Sequence, residues 1–252
     1  MSSSPRAMPT LPRWDPWVLR DGDAYRLFYL GGRTDQDPWW KTSWICGGYA
    51  QGWGQWQHTG PLLEPLLEPL AGDGWESGRI FAGSTYKEAG LYYLFYSAAS
   101  QADIANEAIG LATSTDGVHW QRAERPLLSW KDAVKDAADV RSPSGVGYAG
   151  RCNLAGHLHW RDPYVIKSAI KSAGPDEQEK YYLFFCTSLT ATKQYQGGLG
   201  VAVSDRLRWA LSAEAVSLEL AVLGWYFKDY RLAIAREFSA LWSADGLKIV
   251  AN

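Results

Sequence analysis

Tyr92-Tyr-Leu-Phe-Tyr-Ser-Ala-Ala99 decides the fold, because the chain contains it three times in variant form. Tyr25-Arg-Leu-Phe-Tyr-Leu-Gly-Gly32 stands before it and Tyr181-Tyr-Leu-Phe-Phe-Cys-Thr-Ser188 after it. Each is aromatic-rich and bounded by Gly or charged residues, as a β-strand is. A second element follows each one: Ile45–Trp56, Ile109–Trp120 and Leu199–Trp209, each a small-residue strand, a turn and a Trp. Asp116-Gly117 within the middle copy is a hairpin-turn signal. A third element precedes each aromatic strand: Asp15-Pro-Trp-Val-Leu19, Arg79-Ile-Phe-Ala-Gly83 and Asp162-Pro-Tyr-Val-Ile166. Four antiparallel strands repeated at roughly 65 to 90 residues make a propeller blade.

The expected fold is therefore an all-β propeller of four-stranded antiparallel blades. Three units run from about residue 13 to 218, with part of a fourth after them. The expected organisation is a tail over residues 1–12, a propeller domain over 13–230 and a divergent segment over 231–252. The polar, Gly-rich stretch 129–156 reads as a long loop between blades, with one helical turn at 130–138. A ring missing blades leaves unpaired edges, and a second copy of the chain is one way to shield them.

Bulk properties narrow the function. The chain has 252 residues and a formal net charge of -2, with no basic stripe, so nothing electrostatic points to nucleic acid or to an acidic membrane surface. No apolar run is long enough to span a bilayer, and the N-terminus has no signal-peptide pattern. Three cysteines at irregular spacing suggest neither a disulfide framework nor a metal motif, so a cytoplasmic setting is expected. The four histidines, His58, His119, His157 and His159, lack ligand spacing, and no metal or other cofactor is expected. Fourteen Trp and fourteen Tyr are a large aromatic load, which suits both a β-rich core and a groove that stacks on sugar faces.

Two acids stand out. Asp15 and Asp162 occupy matching positions, in Arg13-Trp-Asp-Pro-Trp-Val and Trp160-Arg-Asp-Pro-Tyr-Val. The first strand of a propeller blade lines the central channel, so residues entering it from one side converge. Proline after each Asp is expected to hold that Asp extended. Glycoside cleavage uses carboxylates on both sides of the scissile bond, and a converging Asp pair suits that task.

These motifs resemble a known group. Trp14-Asp-Pro-Trp17, Arg161-Asp-Pro163 and Ile109–Trp120 are similar to segments of the five-bladed propeller glycosidases. That group comprises invertase-like and levansucrase-like fructosyl enzymes and the related arabinosidases and xylosidases. The Arg-Asp-Pro triplet leans towards the fructosyl branch. The resemblance implies that Asp15 is a nucleophile, that Asp162 stabilises an oxocarbenium-like transition state, and that Trp14 and Arg161 bind sugar. Trp75-Glu-Ser-Gly78 resembles a sugar-touching stretch at the second blade, which implies Trp75 and Ser77 as further contacts. The implied substrate is a small saccharide such as sucrose, cleaved with retention. The alternatives are an inverting arabinosidase or xylosidase, and a sugar-binding chain without activity.

The pattern breaks at the general acid. The family places a Glu at the entry to the fourth blade, where this chain has Gly224-Trp-Tyr-Phe-Lys-Asp-Tyr-Arg231. Aligning Arg231 puts Tyr230 in the Glu position, and Asp229 is the neighbouring acid. A one-residue offset in a strand turns a side chain to the other face, so Asp229 is a candidate acid only if the register shifts. Glu124-Arg-Pro126 matches the triplet literally but follows a last strand, and it reads as an exposed loop.

Overall fold

The computed structural model describes residues 13–33, 42–52, 57–58, 66–103, 106–129, 159–168, 180–188, 197–204, 207, 219–223, 225–228, 231–234, 238–243 and 246–251. The helical turn expected at 130–138, Asp229, Tyr230 and His157 lie outside them.

All described elements are strands, and they form antiparallel sheets in chain order. The first sheet is β1 (Arg13–Asp21), β2 (Ala24–Gly32), β3 (Ser43–Ala50) and β4 (Gln57–His58). The second is β5 (Arg79–Glu88), β6 (Leu91–Ala99), β7 (Glu107–Ser114) and β8 (Gln121–Arg122), with β9 (Leu128–Ser129) also pairing β7. The third is β10 (Trp160–Ser168), β11 (Lys180–Ser188), β12 (Gly197–Ser204) and β13 (Glu219–Leu223). Two hairpins follow: β14 (Trp225–Lys228) with β15 (Arg231–Ile234), and β16 (Phe238–Ser243) with β17 (Gly246–Ala251). The three aromatic repeats are β2, β6 and β11, each the second strand of its sheet. Asp116-Gly117 sits in the β7–β8 connection, where Gly117 has φ 73° and Asp116 accepts bonds from the amides of Val118 and His119.

The sheets stack face to face, and the core lies between them. Phe28, Leu30 and Ile45 of the first sheet pack with Ile80, Leu94, Tyr96 and Ala112 of the second. Phe95, Ile109 and Leu111 on the other face of the second sheet pack with Trp160, Leu183 and Phe185 of the third. Trp160 is fully buried and stacks on Phe185 with ring centroids 4.8 Å apart. A sheet buried on both faces needs apolar side chains at successive positions. The aromatic strand therefore reads as a continuous run and not as an alternation.

A polar clasp joins the outer ends of neighbouring first strands, and it occurs twice. Asp21, the last residue of β1, accepts bonds from Lys87 and Tyr92 of the next sheet and from Arg26 of its own at 2.8 Å. Glu88, the last residue paired in β5, accepts from Lys167 at 2.7 Å and from Tyr181 at 2.5 Å. Strand register makes Asp21 equivalent to Glu88, Lys87 to Lys167 and Tyr92 to Tyr181. Burial acts to raise the Asp21 pKa, but the bonds from Lys87, Tyr92 and Arg26 bring it down to about 2.

Candidate active site

The other end of the same strands carries the candidate site. Each of β1, β5 and β10 has a bulge where its register against the second strand shifts: between Trp14 and Trp17, between Phe81 and Gly83, and between Arg161 and Tyr164. Counting outward from the bulge makes Asp15, Ala82 and Asp162 equivalent. The sequence comparison set Arg79 against the two Asp residues. Strand register instead places Ala82 there, three positions after Arg79, and β5 has no proline to mark it.

Asp15 and Asp162 have φ of 47° and 54°, so both are left-handed. The extended conformation expected from the following proline is not what forms. The left-handed turn belongs to the two proline-bearing bulges, since β5 bulges at Ala82 without it, and Asp tolerates this region better than most side chains. Such residues cost on the order of 1 kcal/mol or more and concentrate at functional sites. The Asp162 amide donates to the Ser97 hydroxyl at 2.9 Å, and that hydroxyl donates to the Ala82 carbonyl at 3.4 Å. Fully buried Ser97 thus links the bulge of β5 to the bulge of β10.

β5 packs against both β1 and β10, so the three bulges line neighbouring strands. Asp15 and Asp162 flank Ala82, which brings only a methyl group. Asp15 lies near enough to act electrostatically on Asp162. The Asp162 pKa is raised: burial is the main cause, Arg161 opposes it, and the charges of Asp15 and Glu107 add to it. The Asp162 side chain is exposed to solvent. The Cys186 thiol donates to the Asp162 carboxylate, and burial together with Asp162 raises the pKa of that thiol.

Beside the pair lies a cluster that sequence reasoning missed. Glu107, the first residue of β7, is fully buried. Its carboxylate accepts from Arg161 Nε at 2.8 Å and also from the terminal nitrogen of the same guanidinium. His159 Nδ1 lies 3.4 Å from it and Arg79 3.8 Å. Burial alone would raise the Glu107 pKa, but the bonds from His159 and Arg161 hold it below the ordinary range. Both guanidiniums stand over the Phe81 ring, Arg79 at 4.4 Å and Arg161 at 5.3 Å. No local motif marks Glu107, whose partners are 52 and 54 residues away.

The other expected contacts divide. Trp14 is half-buried at the entry to the β1 bulge and packs on the first core. Trp75 stacks on Tyr96 at 5.9 Å, and Ser77 accepts a bond from the Gln101 amide, so these two serve the second sheet and its loop. Glu76 between them is buried, accepting from Tyr96 at 2.6 Å and pairing with Arg122 at 3.1 Å. Glu124 and Arg125 are exposed, and His119 pairs with Asp116 far from the acids in sequence and fold. Asp229 lies outside the described residues. Among the described residues no group of three or more His, Cys, Asp or Glu is arranged to hold a metal.

No protein-family model matches the chain. A 76-residue stretch, 26% of the chain, is 28% identical to 25% of a beta-1,2-mannobiose phosphorylase from Thermoanaerobacter sp. (strain X514). Among solved structures, sucrose-6-phosphate hydrolase from Lactobacillus gasseri is similar over 91% of this chain and 38% of its own, at 14% identity and TM-score 0.52. The Penicillium chrysogenum alpha-L-arabinanase complexed with arabinobiose is similar over 92% of this chain and 56% of its own, at 14% identity and TM-score 0.52. A glycosyl hydrolase from Bacteroides ovatus is similar over 94% and 59%, at 12% identity and TM-score 0.53. These likenesses are of fold: an all-β, propeller-type arrangement of antiparallel sheets. The chain spans between 38% and 59% of the length of these structures.

Proposed function

We propose that the protein cleaves the glycosidic bond of a small saccharide, with Asp15 and Asp162 as its acidic pair. The observation that carries this reading is the equivalence of the two bulges. Each lifts an Asp at positive φ onto a first strand, with only Ala82 between them. Within that reading the substrate is a β-fructofuranoside such as sucrose. A carboxylate oxygen of Asp15 attacks the anomeric carbon, the leaving oxygen takes a proton, and water then releases the sugar. Trp14 and Arg161 border the pair and supply an apolar face and a cation for sugar hydroxyls. A cytoplasmic setting belongs to the same reading, in keeping with free thiols at Cys46 and Cys186.

The test is release of reducing sugar from sucrose and short fructans by the wild type and by Asp15→Asn. Release confined to the wild type supports the assignment, and equal release from both ends it.

A second reading is favoured by the local match to a phosphorylase. Inorganic phosphate would replace the carboxylate nucleophile, and Arg79, Arg161 and His159 would be the cations near it. Turnover that requires added phosphate and yields a sugar phosphate would select this reading over hydrolysis.

A further inference from the structure

We propose that Glu107 is a positioning residue: it does not meet the sugar, and it acts on turnover by fixing the direction of the Arg161 guanidinium. The proposal rests on the glycosidase reading, in which Arg161 contacts sugar hydroxyls beside Asp162.

Three observations carry it. First, the grip has two points. Glu107 accepts from Nε and from a terminal nitrogen of Arg161. Two parallel bonds to one edge of the planar fork fix the orientation of the whole guanidinium, which a single bond leaves free to swing. The Phe81 ring covers a face of the same group at 5.3 Å. Second, the two partners differ in access. Glu107 is fully buried, whereas the Arg161 side chain keeps 32% of its surface exposed. The acid is therefore out of reach of a ligand that the arginine can touch.

Third, joining the sheets does not call for an acid at this position. Strand register makes Glu107 equivalent to Ser43 of the first sheet, since their partners Ala99 and Gly32 are themselves equivalent. The buried Ser43 hydroxyl donates to the Ile80 carbonyl, so a neutral side chain links that sheet to the first strand of the next. A buried carboxylate is a costly replacement for such a link, because desolvation offsets most of what its ion pairs return. What Glu107 adds is hold over side chains. His159 Nδ1 at 3.4 Å and Arg79 at 3.8 Å approach the same carboxylate from β10 and β5, so the group that aims Arg161 is itself held from other directions.

The experiment is a double-mutant cycle on sucrose with Glu107→Gln, Arg161→Ala and the two combined, each checked for folding by circular dichroism. Glu107→Gln keeps the shape of the side chain and removes its charge and one of its two acceptors. The expected result is a loss of about 10–10²-fold in kcat/KM in the wild-type background and of less than about threefold once residue 161 is alanine. Losses that multiply in the double variant overturn the proposal, because Glu107 then acts by a route other than Arg161. An unchanged kcat/KM in Glu107→Gln overturns it as well. Should Glu107→Gln fail to fold, Arg161→Lys keeps the test alive, since lysine retains the charge and lacks the fork. Activity as low as that of Arg161→Ala is expected, and activity within about threefold of wild type means that charge without orientation suffices and overturns the proposal. Wild type that releases no sugar from sucrose or short fructans removes the glycosidase reading and this proposal with it, a result seen before any variant is made.

Discussion

The two ends of the first strands behave differently. At the outer end the three sheets repeat one device: an acid on one strand gripped by a lysine and a tyrosine of the next. At the bulged end the repeat is broken: Asp15, Ala82 and Asp162 are equivalent, as are Trp14, Phe81 and Arg161. The outer end solves a problem that every pair of sheets shares, holding neighbours in register, so one solution serves throughout. At the bulged end Asp15 acts electrostatically on Asp162, and identical acids from every sheet would crowd neighbouring strands with like charge. Asymmetry between equivalent positions therefore sets the candidate site apart from the outer end.

That contrast can be broken from either side. The largest effect is expected from Asp15→Asn, which should lower kcat by about 10⁴-fold while leaving the melting temperature unchanged or raised, as measured by sugar release and calorimetry. Next comes Trp160→Ala, which empties a fully buried site against Phe185 and should destabilise by about 3–5 kcal/mol in denaturant titrations. Gly83→Ala should cost about 1–3 kcal/mol. A Cβ there would collide with the Phe95 carbonyl, a backbone atom that cannot swing aside. Asp21→Asn, at the repeating end, should cost about 1 kcal/mol at neutral pH and leave catalysis intact. Because folding lowers the Asp21 pKa to about 2, the folded state binds fewer protons there than the unfolded chain. The stability that Asp21 contributes is present above the ordinary carboxylate range and is lost as pH falls towards about 2. The gap between wild type and Asp21→Asn should therefore close on acidification, and a gap that persists at pH 2 would remove the clasp as its cause.

The sequence shows some of this and hides the rest for physical reasons. The aromatic strands are legible because a sheet buried on both faces writes a continuous apolar run, and β2, β6 and β11 fall where those runs lie. Asp15 and Asp162 are legible because proline marks both bulges. The third bulge is hidden, since Gly83 holds the proline's position and gives no signal of the extra residue. The left-handed turn is hidden too, because proline's local preference loses to the geometry of the bulge. Glu107 could not be read at all: its cations arrive from distant strands, and only tertiary contact brings a buried acid, two arginines and a histidine together. Its buried, ion-paired state follows from packing and not from any pattern of neighbours.

The clasp also has a sense of direction. The second sheet offers an acid forward and receives with a lysine and a tyrosine behind. In the first sheet the receiving positions are Arg20 and Tyr25, and in the third the offering position is Ser168, which bears no charge. Parts made this way join like links with a hook on one side and an eye on the other, so their order cannot be reversed. Rearranging the gene to shuffle the blades would have to restore the missing hook, and Ser168→Glu is the one-residue change that supplies it.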